Sequence, residues 1–289
     1  MQYEGNIIRP PSEADSILLQ VTVGCSHNGC AFCGAYAGER FRVKDEATIF
    51  ADVEFAARHM SGLRRVFLCD GDAMAAPRAF LERVLQRVRE RLPRVARIAA
   101  YASAKSLRAK SPDDLRRLRA LGLSMLYTGL ESGDDALLAR MGKGTGVADM
   151  LAQADKVRRA GMKLSATVIV GLAGTVGWER HARLTGEALS AMAPDHAAAL
   201  TLMPVPGTSL WDDWEAGRFT LPDGPAMVRE LRLLLEHTTL RQGLFLADHA
   251  SNHVPLTLRL PRDKAHGLAV LDAALEGLGA LKSERARRL

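Results

Sequence analysis

The chain has 289 residues, 47% of them hydrophobic and 25% charged, with a formal net charge of +6. That length is long for one ordinary domain and suits a single α/β barrel with an appendage, and the composition is that of a soluble globular protein. No apolar run approaches the roughly 20 residues of a membrane span, and the basic excess sits in helical repeats such as Arg83, Arg87, Arg89, Arg91 and Arg94, which reads as solvated helix faces and makes nucleic acid an unlikely partner.

Strand-like and helix-like segments alternate along the chain, the pattern of βα units on a parallel sheet. The first strand is expected over 16–23 and a helix with an acidic first turn over 45–60. A second strand over 65–69 leads into a helix over 77–92 that starts with Pro77, a good first-turn residue. After a third strand over 95–102, Ser111-Pro112-Asp113-Asp114 supplies a cap, a first-turn Pro and an acidic third residue for the next helix. The fourth strand, 123–130, precedes helical stretches over 134–141 and 147–160. The fifth strand, 163–170, precedes a helix over 176–192, and the sixth is 197–203.

Six such repeats predict an α/β fold, a partial (β/α)6 TIM-like barrel. Past Pro206 the pattern gives a short segment around Trp211 and Trp214, a helix over 225–238, a strand-like 244–247 and a last helix over 261–278. The expected organisation is a lead-in over 1–15, the partial barrel over 16–210 and a C-terminal extension over 211–289 that closes the barrel's open side.

Three of the four cysteines fall in one stretch directly after the first strand, Cys25-Ser26-His27-Asn28-Gly29-Cys30-Ala31-Phe32-Cys33. Thiolates this close on a loop leaving a strand can hold three irons of a [4Fe-4S] cluster and leave the fourth iron open for a ligand. A structural zinc site of Cys25, His27, Cys30 and Cys33 is the competing reading. A Cys-x-His pair is an awkward chelate, and zinc sites usually combine ligand pairs from separate segments, so the cluster is favoured. A disulfide framework fails because no secretory signal is read and odd thiols would be left over; the cytoplasm is the expected compartment.

In parallel βα architectures the chemistry gathers at the carboxyl ends of the strands. The second strand ends in Asp70-Gly71-Asp72-Ala73, where Gly71 permits close backbone approach to a ligand. The fourth ends in Gly129-Leu130-Glu131-Ser132-Gly133, the fifth in Ile169-Val170-Gly171-Leu172-Ala173-Gly174, and the sixth in Met203-Pro204-Val205-Pro206-Gly207-Thr208. Each alone is weak. In this order, behind a C-x4-C-x2-C triplet with an aromatic before its last Cys, they resemble the radical S-adenosylmethionine (SAM) superfamily, in its Elongator-like and anaerobic coproporphyrinogen oxidase branch. The commoner spacing in that superfamily has three residues between the first two cysteines, and Gly-Asp stands here where Gly-Gly-Glu is more usual.

The resemblance implies an oxygen-sensitive enzyme in which Cys25, Cys30 and Cys33 hold the cluster and SAM occupies its open iron. It places SAM against Phe32, Gly71, Asp72, Glu131, Ser132, Ile169, Gly171, Leu172 and Met203. It further implies reductive cleavage of SAM to a radical that abstracts hydrogen from a substrate, with an electron donor such as flavodoxin or ferredoxin as partner; the small size of the chain suits a small-molecule substrate. No cysteine follows Cys69, so no auxiliary cluster is expected. Alternatives of lower standing are transfer of a 3-amino-3-carboxypropyl group to a soft acceptor such as arsenic, RNA modification, and a zinc-binding interaction module.

Several residues are candidates for the substrate side. Tyr36, Arg40 and Arg42 follow the cysteine loop, and an Arg there would pair with a carboxylate or form a surface ion pair. Asp248-His249-Ala250-Ser251-Asn252-His253 gathers polar groups between apolar segments; His249 is a candidate catalytic residue, and Ser251 and Asn252 are candidate substrate contacts, against the alternative of a self-satisfied turn. Cys69 is a candidate hydrogen-atom donor or a small hydrophobic core residue.

Overall fold

The computed structural model describes residues 1–279 and 281–288. Its elements run β1 (Ile17–Gln20), β2 (Thr22–Val23), β3 (Arg42–Val43), α1 (Glu46–His59), β4 (Arg65–Cys69), α2 (Arg78–Arg91), β5 (Arg97–Tyr101), α3 (Ala104–Arg108), α4 (Pro112–Ala120) and β6 (Leu123–Glu131). They continue α5 (Asp135–Arg140), α6 (Val147–Arg159), β7 (Lys163–Val170), α7 (Trp178–Met192), β8 (His196–Thr201), α8 (Ser209–Glu215), α9 (Gly224–His237), β9 (Gly243–Leu246), β10 (Thr257–Leu260) and α10 (Lys264–Leu275).

Eight strands form one sheet in the order β1-β4-β5-β6-β7-β8-β9-β10, and β2 pairs with β3 in a separate ribbon. Pairing is parallel from β1 through β6 and from β7 through β9; β10 is antiparallel to β9. This is the connectivity of a partial (β/α) barrel, its six expected strands continued by β9, which matches the strand-like 244–247, and by β10, which lies outside the expected elements. The chain divides into two compact units. The first comprises Met1–Asn28, Ala35–Thr128 and Ala152–Leu164; the second comprises Gly29–Gly34, Gly129–Leu151 and the chain from Ser165 onward.

In the first unit Phe67, Cys69, Ala99, Met125 and Tyr127 pack as one core with Leu18 and Tyr101 against them. The Phe67 ring meets Tyr101 and Tyr127 edge-on at centroid distances of 4.9 and 5.6 Å, a geometry that suits the aromatic quadrupole. The buried Glu13 takes the Tyr127 hydroxyl at 2.5 Å and pairs with Arg97, so the lead-in is tied to this core. In the second unit Leu137, Met141, Leu172, Ala173, Leu202 and Leu210 form a core of their own.

The structure departs from the expected elements in three places. The run over 16–23 breaks at Val21, and its second half turns off to pair with β3, in register Thr22 with Val43; both halves are buried, so apolarity alone hides the break. The helix α3 is too short for a helical period to show, and its capping box uses Ser106 where Glu or Gln would signal it. The last helix begins only at Lys264, because Leu258 and Leu260 alternate as the buried face of β10 ahead of Pro261.

The cap expected at Ser111 is present: its hydroxyl accepts from the Asp114 N–H at 3.1 Å, and the Asp114 carboxylate accepts from the Ser111 N–H at 2.9 Å, with Pro112 in the first turn. Replacing Ser111 by Ala removes one of these bonds and should cost about 1 kcal/mol, read as a lowered urea midpoint with an unchanged slope.

Candidate functional site

In the first unit the chain leaves β2 through Gly24, whose φ of 79° lies in the left-handed region, and enters Cys25. The residues just past β4 face this point one for one. Asp70 accepts from the Gly24 N–H at 2.9 Å and from Gln20 Nε2 at 3.1 Å, and the Gly71 N–H donates to the Gly24 carbonyl at 3.2 Å. Gly71 lies so close to Cys25 that an added Cβ would come within 2.6 Å of the Cys25 Cβ and 2.8 Å of the Tyr36 ring. The fully buried Asp72 accepts from the Ser26 hydroxyl, and from the Ser103 hydroxyl at 2.6 Å and Ser103 N–H at 3.1 Å.

Both oxygens of Asp72 are thus engaged in holding the cysteine loop and the start of α3. The acceptor left over is Asp70 Oδ1, buried and without a partner among the described residues; burial raises the Asp70 pKa. The Tyr36 hydroxyl is likewise buried and unpartnered, and burial, then the Asp70 charge, pushes its pKa up.

Three other candidates of this unit lie elsewhere. Arg42 pairs with Glu4, both about half exposed, which is the surface ion pair of the two readings. Arg40 is exposed. Cys69 is sealed among Phe67, Ala99, Met125 and Tyr127, and burial pushes its thiol pKa up; it is a small core hydrophobe, and the hydrogen-donor reading finds no accessible sulfur.

In the second unit the stretch from Gly29 to Gly34 is pinned by backbone: Ala31 N–H donates to the Met141 carbonyl and the Leu210 N–H to the Ala31 carbonyl, each at 2.9 Å. Gly34 runs against Val205, where a Cβ would come within 2.5 Å of a methyl group. Phe32, between Cys30 and Cys33, packs on the core of Leu172 and Leu202 together with Ile169. Three residues assigned by the resemblance to SAM, Phe32, Ile169 and Leu172, are therefore brought into one apolar cluster. Gly171 has φ of 86°, and Met203, half-buried, follows β8.

Glu131 ends β6 with φ of 61°, strained for a residue with a side chain. Its carboxylate folds back over Gly129, where a Cβ would lie 1.8 Å from Oε1, and pairs with Lys143 at 2.8 Å. Ser132 is buried, accepts from the Asp134 N–H at 2.9 Å and meets His181 Nδ1 at 2.9 Å.

Ser251 and Asn252 are fully buried. The Thr201 N–H donates to Ser251 Oγ at 3.2 Å, the Thr201 hydroxyl to Asn252 Oδ1 at 2.7 Å, and Asn252 Nδ2 to the Ala199 carbonyl at 2.9 Å. Both side chains are spent on anchoring their turn to β8, and the substrate-contact reading gives way to this. His249 is half-buried. Its Nδ1 accepts from the Ser251 N–H at 3.1 Å, which leaves the proton of the neutral ring on Nε2; burial lowers its pKa.

Lys143, Asp70, His181 and Glu230 were not singled out by sequence reasoning. A signal existed for the last: Met227, Val228, Leu231, Leu234 and Leu235 mark the buried face of α9, and Glu230 falls on that same face.

The donor set fits the implied cluster. Cys25, Cys30 and Cys33 share one loop, none forms a disulfide, and each is at least partly accessible, whereas Cys69 is buried. A cubane takes one thiolate on each of three irons, which these three cysteines can supply.

The sequence profile of the Radical SAM superfamily matches residues 19–184. No curated protein matches the chain. Among solved structures, the radical S-adenosylmethionine methyltransferase TsrM from Kitasatospora setae, with cobalamin and [4Fe-4S] cluster bound, is similar with a TM-score of 0.57 at 19% identity, over 71% of this chain and 41% of its own. The archaeal Elp3 of Methanocaldococcus infernus gives 0.54 at 15% identity over 82% and 60%. Coproporphyrinogen III oxidase (HemN) from Escherichia coli, a radical SAM enzyme, gives 0.51 at 14% identity over 92% and 70%. The chain spans less than half the length of TsrM, and at these identities the likeness is one of fold. Among the described residues no helix is long and apolar enough to cross a membrane.

Replacing Gly71 by Ala should drive the new methyl into Cys25 and lower the iron content after anaerobic reconstitution. Gly62→Ala, where a Cβ meets nothing within 4 Å, should leave iron content unchanged.

Proposed function

The chain belongs to the radical SAM superfamily, an enzyme family that uses a [4Fe-4S] cluster and SAM, and from that premise we propose that it cleaves SAM reductively and directs the resulting radical at a C–H bond of a small-molecule substrate. The observation that carries this reading is that Phe32, flanked by Cys30 and Cys33, and Ile169 of β7 both pack on the one core that contains Leu172: the cysteine loop and the end of β7 share one apolar cluster, as a nucleoside beside the [4Fe-4S] cluster requires.

When bound, the cluster supplies the one electron that breaks a sulfonium C–S bond and yields a carbon radical. The rest is positioning by the protein. Cys25, Cys30 and Cys33 would hold the cluster. Phe32, Ile169 and Leu172 would wall the base and exclude water from a radical that attacks almost any C–H bond, with Met203 and the Gly171 backbone alongside. Glu131, held by Lys143, would accept from an amine or ribose hydroxyl. For the SAM ammonium, Asp70 is a better candidate than Asp72, whose oxygens already hold Ser26 and Ser103. On the substrate side, Tyr36 and the Nε2–H of His249 remain the candidate polar groups. A reductant such as flavodoxin or ferredoxin would deliver the electron.

The test is anaerobic reconstitution, reduction in the presence of SAM, and identification of the nucleoside released. The expected products are 5′-deoxyadenosine and methionine in the wild type, and neither in Cys30→Ser. Release of 5′-methylthioadenosine instead would overturn the reading in favour of aminocarboxypropyl transfer.

A further inference from the structure

Behind the two segments just assigned to SAM lies a buried polar pair that the proposed chemistry does not use. His181 on α7 and Glu230 on α9 are fully buried, with Nε2 of the one 3.4 Å from Oε1 of the other. His181 Nε2 is 3.1 Å from the Ile169 carbonyl. A carbonyl only accepts, so Nε2 carries the proton and Nδ1 is the acceptor. Nδ1 lies 2.9 Å from the Ser132 hydroxyl and 3.2 Å from that of Thr185. Each hydroxyl already accepts from a backbone N–H, that of Asp134 for Ser132 and that of Gly133 for Thr185, both at 2.9 Å, so each has its proton free to give to Nδ1. Glu230 Oε1 accepts from the Gly171 N–H at 2.7 Å. One imidazole therefore links the turn after β6 to the end of β7, and one carboxyl holds the next backbone donor along.

We propose that His181 and Glu230 are positioning residues for the nucleoside half of SAM, fixing Ser132, the Ile169 carbonyl and the Gly171 N–H as one rigid surface. This rests on the assignment of those segments to SAM. The pair is neutral at pH 7: burial lowers the His181 pKa to about 4 and raises that of Glu230 to about 8. The groups facing it are few. Asp134 and Arg140 act on His181 in opposite senses, the turn after β7 offers Glu230 the Gly171 N–H, and α10 directs Asp272 to Arg232 rather than inward. When Glu230 ionises it competes with the Ile169 carbonyl for the single Nε2–H, so the surface should loosen as pH rises through about 8.

The linkage has a stability side. A carboxyl whose folded pKa is raised keeps a proton that the unfolded chain gives up, so its contribution is complete below the ordinary 4.5 and is lost as pH climbs to about 8. Glu230→Gln, which imitates the neutral carboxyl, should therefore gain melting temperature relative to wild type between those limits.

The experiment measures SAM dissociation constants by equilibrium dialysis on cluster-loaded protein at pH 7 and pH 9, with iron content and melting temperature alongside. His181→Ala should weaken SAM binding about tenfold, the effect of a lost partner to buried polar groups, with iron content kept, and His181→Gln, which can still donate to Ile169, should recover part of it. Glu230→Gln should bind like wild type at pH 7 and more tightly than wild type at pH 9. The amino group of SAM titrates in the same window, so the difference between the two proteins is the readout. Unchanged affinity in His181→Ala, or identical pH profiles for wild type and Glu230→Gln, overturns the inference alone. If His181→Ala does not fold, the Glu230→Gln profile decides. Wild type that loads a cluster and binds no SAM overturns the underlying reading as well.

Discussion

The Asp70 carboxylate is the interaction on which the first unit's end of the cysteine loop depends. By accepting from the Gly24 N–H it fixes the residue before Cys25, and its neighbours continue the correspondence, Gly71 against Cys25 and Asp72 against Ser26. Three consecutive residues after β4 thus hold three consecutive residues after β2. The arrangement has a cost: Asp70 takes φ of 78°, a left-handed conformation about 1–2 kcal/mol unfavourable for a residue with a Cβ. Glycine there would remove the strain and also the acceptor for Gly24. Gly71 carries the opposite constraint, since any side chain would displace Cys25.

Glu131 repeats this pattern in the second unit. It too is an acid just at a strand's end with positive φ, and it too needs a neighbouring glycine, Gly129, to leave room for its carboxylate. Backbone strain of this kind survives where surrounding bonds over-determine it, here the Lys143 pair and the Ser132 network one residue on. Strand ends that aim an acid away from its own ladder are unfavourable for folding and useful for binding.

Much of the fold was legible because the chain keeps its period. The βα alternation, the Ser111 cap and the apolar strands emerge from residue type alone, and the cysteine spacing marked the loop. Short elements escaped: α3 is five residues and β10 four, too few for a period to outweigh local noise. Side-chain roles escaped for a different reason. Asp72, Ser251 and Asn252 are polar residues in glycine- or turn-rich stretches, which is how ligand contacts look in sequence, yet each is consumed by the hydrogen bonding that builds its loop. Sequence shows that a donor or acceptor exists at a position; whether another part of the chain has already claimed it depends on long-range packing. Arg42 is the surface version of the same limit, its charge taken by Glu4 from 38 positions away.

The buried Glu230 shows why such claims are not optional. At Gly171 the strand has ended, and the residue's N–H goes to the Glu230 carboxyl on α9 at 2.7 Å. A buried N–H without an acceptor costs about 1–3 kcal/mol. An apolar residue at position 230 would pack well in the face of Met227, Leu231 and Leu234 and leave that donor unmet. A carboxyl reaches it, but burial then favours the neutral acid over the charged one, and His181, kept neutral by the same burial, is compatible with that state. The turn that gives β7 its exit therefore calls for a polar acceptor on α9, and the carboxyl that fills the place in turn constrains the protonation of the imidazole that holds Ser132.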